Sequence, residues 1–108
     1  MNDQVPDILG EFKQLQGVAL SSEAGEALES TAGLDADTLC AVASVSATQL
    51  RNIGDLLSAG NLERWYLVTE QQAYYVSERP LERRRLVALG EAVKSPEATS
   101  KGLHKAAR

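Results

Sequence analysis

Residues 35–58 read DADTLCAVASVSATQLRNIGDLLS, and this stretch decides the fold. Asp35 suits the N-cap of a helix from Ala36 to about Ser58, because a carboxylate there accepts the free backbone N–H groups of the first turn. No charged residue occurs in positions 38–50, so the helix is uncharged nearly all round for about three turns. We therefore predict a long middle helix that is covered on more than one side.

Two apolar stripes run along this middle helix at the spacing of helical turns. The first consists of Leu39, Ala43, Ala47 (or Ser46), Leu50, Ile53 and Leu57, and the second of Val42, Val45, Gln49 and Leu56. A helix that lies on its own sheet needs only one apolar face. One interpretation is a helix buried within a single domain. We favour coverage of the second stripe by another chain, because 108 residues supply few other elements to cover it.

Shorter helices are predicted at both ends of the chain. A helix with Pro6 in its first turn, ended by Gly17, places four apolar side chains on one face: Ile8, Leu9, Phe12 and Leu15. Near the other end, Ser95 is an N-cap and Pro96 stands at the first helical position, which predicts a last helix to the C-terminus. Gly60 stands where a glycine cap would end the middle helix.

Five apolar runs bounded by turn residues predict strands, near residues 18–21, 27–30, 62–69, 73–77 and 85–89. The order along the chain is therefore helix, two strands, helix, three strands, helix. Strands joined by tight turns pair antiparallel. We predict an α+β fold, order αββαβββα, with a five-stranded antiparallel sheet and helices on both faces.

The composition predicts one domain over residues 1–108, with residues 1–4 flexible. Cys40 is the only cysteine, so no intrachain disulfide forms, and Cys40 with His104 cannot supply a structural zinc site. The acidic N-terminus is unlike a signal peptide, and no apolar stretch is long enough to span a bilayer. We expect a cytoplasmic protein that does not insert into membranes.

Charge is distributed unevenly. Residues 1–63 carry a net charge of −8, residues 64–108 carry +4, and the whole chain carries −4. Four aromatic residues near the arginines suggest a base-stacking platform, namely Trp65, Tyr66, Tyr74 and Tyr75. Strand alternation would divide them between two faces, and an acidic chain lacks the basic field that phosphates require. We expect core and dimer contacts for them and no nucleic-acid partner.

No constellation of catalytic residues is visible. The sequence contains no phosphate-binding loop, so the chain is not a P-loop GTPase. We expect His104 to be a solvated helix residue and Cys40 to be a small buried side chain rather than a nucleophile. No metal and no cofactor are expected, and no enzymatic activity.

The predicted loop at residues 79–84 is rich in arginine. Arg79, Arg83, Arg84 and the adjoining Arg85 either form a solvated loop or contact an acidic partner. Nothing in the sequence selects one of the four as a catalytic group supplied to a partner. We take Arg79, Arg83 and Arg84 as the candidate partner contacts.

Five features together resemble the roadblock family of dynein light chains and its bacterial and archaeal relatives. They are Gly17-Val18 at the first strand, GEALES at residues 25–30, the Ala- and Leu-rich helix after Asp37, LSAGNLER at residues 57–64, and Ala73-Tyr74-Tyr75-Val76. The resemblance covers about residues 5–106. No single motif carries it; order, lengths and glycine positions do so together.

The resemblance implies a profilin-like fold and a homodimer that pairs its middle helices and its third strands into one continuous sheet. The dimer interface would then contain Val42, Val45, Ser46, Gln49, Ile53, Trp65, Tyr66 and Leu67. Prokaryotic members commonly bind small Ras-like GTPases, and some activate them. The resemblance thus implies a non-enzymatic adaptor that regulates or docks a Ras-like GTPase. The alternative is a scaffold or complex subunit without a GTPase partner.

Overall fold

The computed structural model describes residues 4–79 and 82–106 and confirms the predicted order of elements. The helices are α1 (Gln4–Glu11), α2 (Ala36–Leu56) and α3 (Pro96–Ala106), and the strands are β1 (Leu15–Ser22), β2 (Ala27–Ser30), β3 (Arg64–Val68), β4 (Gln72–Arg79) and β5 (Arg84–Glu91). The predicted flexible segment, residues 1–4, lies outside the described residues except for Gln4, which begins α1.

All five strands form one antiparallel sheet in the order β2-β1-β5-β4-β3. The strand pairs β1–β2, β3–β4 and β4–β5 are hairpins, α2 connects β2 to β3, and β1 lies beside β5. The short strand β2 and the strand β3 are therefore the two edges of the sheet. The predicted α+β class with an antiparallel sheet is confirmed.

The two faces of the sheet carry separate cores, because successive side chains of a strand point to opposite faces. On one face α2 packs onto the sheet with Ala19, Cys40, Ala43, Val76 and Val87 as buried members. On the other face α1 and α3 cover a second core, which includes Val5, Ile8, Val18, Tyr75, Leu86 and Leu103. The predicted helices on both faces are confirmed.

Local chemistry sets the helix ends. The Asp35 carboxylate accepts a hydrogen bond from the Thr38 backbone N–H at 3.4 Å, as predicted for the N-cap of α2. α3 begins at Pro96, also as predicted. The predicted end of α2 was wrong in detail, since Leu57 is its C-cap and Gly60 lies beyond it in a left-handed conformation with φ of 92°.

The first helix is shorter than predicted. α1 ends at Glu11, and Leu15 belongs to β1 rather than to the helix. Leu15 pairs with Gly90 of β5 across an irregular register. A Cβ on Gly90 would lie 2.6 Å from the Gln14 carbonyl oxygen, so only glycine lets the two strands approach this closely. Pairing within the sheet overrides the helical spacing of the apolar residues.

The predicted charged loop is also shorter than expected. β4 extends through Arg79 and β5 starts at Arg84, so both side chains lie on paired strands, at opposite positions. Arg83 has a left-handed backbone conformation with φ of 56° in the connection between them. Strand pairing therefore continues almost to the tip of the hairpin.

Candidate protein-interaction surface

The outward side of α2 is apolar and exposed. We call Val42, Val45, Ser46, Gln49, Ile53 and Leu56 the outer stripe. Val45 is 61% exposed and Leu56 is 86% exposed, whereas the residues that face the sheet, such as Cys40 and Ala43, are fully buried. The outer stripe follows the helical repeat and carries no charge. Exposed contiguous apolar surface of this kind is typical of protein–protein contacts.

The edge strand β3 adds a second apolar feature. Its sequence is Arg-Trp-Tyr-Leu-Val, and Leu67 is 59% exposed. Among the residues that the structure describes, β3 pairs only with β4, so its other side presents free backbone N–H and C=O groups. Beyond Arg64, whose guanidinium binds Glu97 of α3, the strand carries no charge and no proline, and an apolar edge of this kind is a site for pairing with another strand.

The outer stripe and β3 lie on two sides of the same open part of the sheet. α2 packs mainly across β1, β2 and β5. On the α2 side of the sheet, β4 and β3 carry Tyr74 and Trp65, which are half-buried and pack against the core beneath α2. A second helix laid beside α2 would therefore cover both the outer stripe and this open part of the sheet.

The predicted interface residues occupy this region with one difference in orientation. Val42, Val45, Gln49, Ile53, Tyr66 and Leu67 are exposed, and Ser46 and Trp65 are half-buried. Tyr66 lies on the α1 and α3 side of the sheet, where its ring centroid is 6.3 Å from that of Tyr75. Leu56, a member of the second predicted stripe, is exposed as well, and the exposed residues Leu57 and Val68 were not among the predicted interface residues.

The four arginines of the β4–β5 hairpin have different environments. Arg85 is 1% exposed and its guanidinium binds the Glu78 carboxylate at 3.0 Å, so the idea that it contacts a partner was wrong. Arg79 is largely buried and pairs with Glu82 at 2.7 Å. Within the described residues Arg83 and Arg84 form no ion pair; Arg83 is exposed on the hairpin and Arg84 is half-buried. The charge available to a partner therefore comes mainly from Arg83 and Arg84.

A polar cleft of about 320 Å³ lies between the end of α2 and this hairpin. Its walls carry charges of both signs, from Glu23, Arg51, Asp55, Glu78 and Arg84. Glu78 is nearly buried and binds both Arg51 and Arg85, so its carboxylate is neutralised within the protein. In the described part of the chain no group of three or more acidic, histidine or cysteine side chains is arranged to hold a metal ion.

Two candidate reactive side chains are parts of the cores. Cys40 is fully buried, as predicted, and burial raises the pKa of its thiol. The prediction that His104 is solvated was wrong. His104 is half-buried in α3, and its Nδ1 atom hydrogen-bonds the Ser77 hydroxyl of β4.

The aromatic residues do not form a stacking platform. Trp65 and Tyr74 lie on the α2 side of the sheet, whereas Tyr66 and Tyr75 lie on the other side, as alternation predicts. The Tyr74 hydroxyl donates a hydrogen bond to the Leu39 carbonyl oxygen at 2.7 Å, and burial raises the pKa of Tyr74. None of the described helices combines the length and apolar character that a bilayer crossing needs.

No protein-family model and no curated protein matches the sequence. Solved structures do match it. A roadblock domain from Streptomyces avermitilis is 19% identical with a TM-score of 0.74, covering 84% of this chain and 78% of that one. The gliding protein MglB from Thermus thermophilus is 18% identical with a TM-score of 0.73, covering 97% and 86%. MglB from Myxococcus xanthus is 13% identical with a TM-score of 0.70, covering 92% and 87%. The chain therefore has the roadblock fold.

Proposed function

We propose that this chain is a homodimeric adaptor, without enzymatic activity of its own, that docks or regulates a small Ras-like GTPase. The observation that carries the proposal is the uncharged, exposed outer stripe of α2 beside the apolar edge strand β3. The roadblock fold supports it, since the sequence resemblance to that family implies a dimer and a Ras-like GTPase partner.

The same surface serves both copies of a two-fold dimer. In such an interface each protomer contributes an identical patch, so the outer stripe of one copy packs against that of the other. Pairing of β3 with its counterpart satisfies the free backbone groups of both edges and joins two sheets into one. A similar structure is that of MglB in a tetrameric arrangement, which is 17% identical with a TM-score of 0.73 over 97% of this chain and 85% of that one.

The dimer leaves the β4–β5 hairpin and the helices α1 and α3 available for a further partner. α1 and the residues beside it carry Asp7 and Glu11, whereas α3 carries Lys101 and Lys105. Separated charges of this kind orient a partner during encounter and raise the association rate more than the affinity. We propose that Arg83 and Arg84 are the main positive contributors to GTPase association.

The experiment compares the wild-type chain with an R83E/R84E double variant. A Ras-like GTPase from the same cell, identified by affinity capture and mass spectrometry, is purified and loaded with GTP or GDP. Its association rate with wild type should fall as salt rises, and the double variant should associate more slowly at low salt while remaining a dimer. A K13E/K94E variant reverses two exposed lysines elsewhere and is the matched control.

An unchanged association rate for R83E/R84E would mean that the hairpin is only a solvated connection. Failure of every Ras-like GTPase of that cell to bind the wild-type dimer would instead support a scaffold subunit without a GTPase partner.

A further inference from the structure

The fully buried part of the contact between α2 and the sheet is made by small side chains, with Leu39 packed beside it. Ala36, Cys40, Ala43 and Ala47 are the buried residues of the helix. Helices are normally fixed in position by ridges of larger side chains that fit into grooves of the neighbouring surface. A row of small residues offers shallow ridges, so apolar packing alone leaves the rotation and position of α2 weakly determined.

Two polar contacts fix α2 to the strand β4 at separate points. In its first half the Leu39 carbonyl oxygen accepts the hydrogen bond from the Tyr74 hydroxyl at 2.7 Å. In its second half Arg51 Nη2 binds Glu78 Oε1, also at 2.7 Å. Twelve residues separate Leu39 from Arg51, which places the two contacts about 18 Å apart along the helix axis. Contacts at two distant points restrain both the direction and the rotation of a helix.

Glu78 is itself held firmly. Arg85 donates to Glu78 Oε2 from Nε at 3.0 Å and to Oε1 from Nη2 at 3.2 Å. Arg85 also donates to the Glu23 carbonyl oxygen at 3.2 Å, and the Ser44 hydroxyl of α2 donates to that same oxygen at 3.1 Å. The β1–β2 hairpin, α2 and the strands β4 and β5 thus share one polar network, which gives Arg51 a rigid partner.

We propose that Arg51 is a positioning residue for the dimer surface. Successive helical residues are about 100° apart, so Gln49 and Ile53 each lie on the other side of α2 from Arg51. By binding Glu78, Arg51 turns the outer stripe away from the sheet and toward the second copy. Arg51 is half exposed and Glu78 is nearly buried; ion pairs of this kind add little net stability, and in some proteins they restrict geometry. The inference rests on the proposed dimer.

The test measures the dimer dissociation constant of R51M at a temperature where every variant is fully folded. Met keeps an unbranched stem without the charged guanidinium, and Glu78 keeps Arg85 as its counter-ion. The dissociation constant should rise about tenfold, and R51K should restore it to within about threefold of wild type. Y74F, which removes only the hydroxyl at the other contact, should raise it in the same direction, and R51Q, which also removes the charge, replaces R51M if R51M does not fold.

S77A is the matched control. It removes the hydrogen bond to His104 on the opposite face of the sheet, so it lowers the free energy of unfolding without touching α2. Its dissociation constant should equal that of wild type. A dissociation constant for R51M equal to those of wild type and S77A would overturn the positioning role and leave the dimer proposal intact. A monomeric wild-type chain would overturn both.

Discussion

Replacing Val45 with Glu tests the proposed interface at its centre. Val45 lies in the outer stripe and is 61% exposed in the protomer, so a glutamate there meets water while the protein is monomeric. Glutamate is a good helix former, and no charged residue lies within positions 38–50. The free energy of unfolding of the protomer should therefore change by no more than about 0.5 kcal/mol.

The dimer should be affected far more. Full burial of a side chain of this size stabilises by about 1.5–3 kcal/mol, so covering the exposed part of Val45 contributes about 1–2 kcal/mol per copy. Both copies lose this contribution in a two-fold dimer, which amounts to about 2–4 kcal/mol and a dissociation constant about 30- to 1,000-fold higher. Two carboxylates without counter-ions, buried in the interface, raise the loss further.

The assay is sedimentation equilibrium combined with urea denaturation, on V45E and a matched variant. L28E places the same charge at an exposed apolar position on β2, the opposite edge of the sheet. V45E should sediment as a folded monomer at micromolar concentration, whereas L28E should remain a dimer. If V45E dimerises as strongly as L28E, the outer stripe does not form the interface and the reasoning fails.

Three further predictions concern the backbone, the pH response and the chemistry of the chain. G90A should lower the free energy of unfolding by about 1–3 kcal/mol, because its Cβ would meet the Gln14 carbonyl oxygen at 2.6 Å. G10A should raise the free energy of unfolding by about 0.5–1 kcal/mol, because Gly10 lies in α1 with open space around its added Cβ. If urea denaturation finds G90A as stable as G10A, the described packing is contradicted. Burial raises the pKa of Tyr74, so the folded chain keeps a proton that the unfolded chain loses above about pH 10, and stability should fall as pH rises beyond that value. Between about pH 9 and about pH 11, urea denaturation should show a smaller fall in the free energy of unfolding for Y74F than for wild type. An identical fall would mean that Tyr74 does not cause the pH dependence. The purified chain should not hydrolyse GTP, since it lacks a phosphate-binding loop, and turnover that persists through purification and follows the protein peak would oppose the adaptor proposal.

The helix starts were predictable because each depends on a few neighbouring residues. Asp35 caps α2 through a backbone N–H three positions away, and Pro96 starts α3 because its fixed φ and missing N–H suit the first turn. The outer stripe was also predictable, since a run without charge at helical spacing is visible in the sequence itself. In the structure, the large apolar residues of the outer stripe are exposed on the surface of the protomer.

The errors concern residues whose environment is decided by distant parts of the chain. Leu15 fits the helical spacing of the preceding residues, but its pairing with Gly90 places it in a strand. Arg85 stands in a run of arginines, yet the register of the β4–β5 hairpin puts it opposite Glu78 and beneath α2. His104 forms a hydrogen bond with Ser77, which lies 27 positions earlier, and the residues around His104 give no sign of this contact.

The mass of the wild-type chain in solution tests the central claim most directly. Sedimentation equilibrium at micromolar concentration should give about twice the 11.6 kDa mass of one chain, because the outer stripe and the β3 edge are then covered by a second copy. A mass of 11.6 kDa that does not increase with concentration would contradict the claim, since the apolar surface would then remain uncovered in the functional protein.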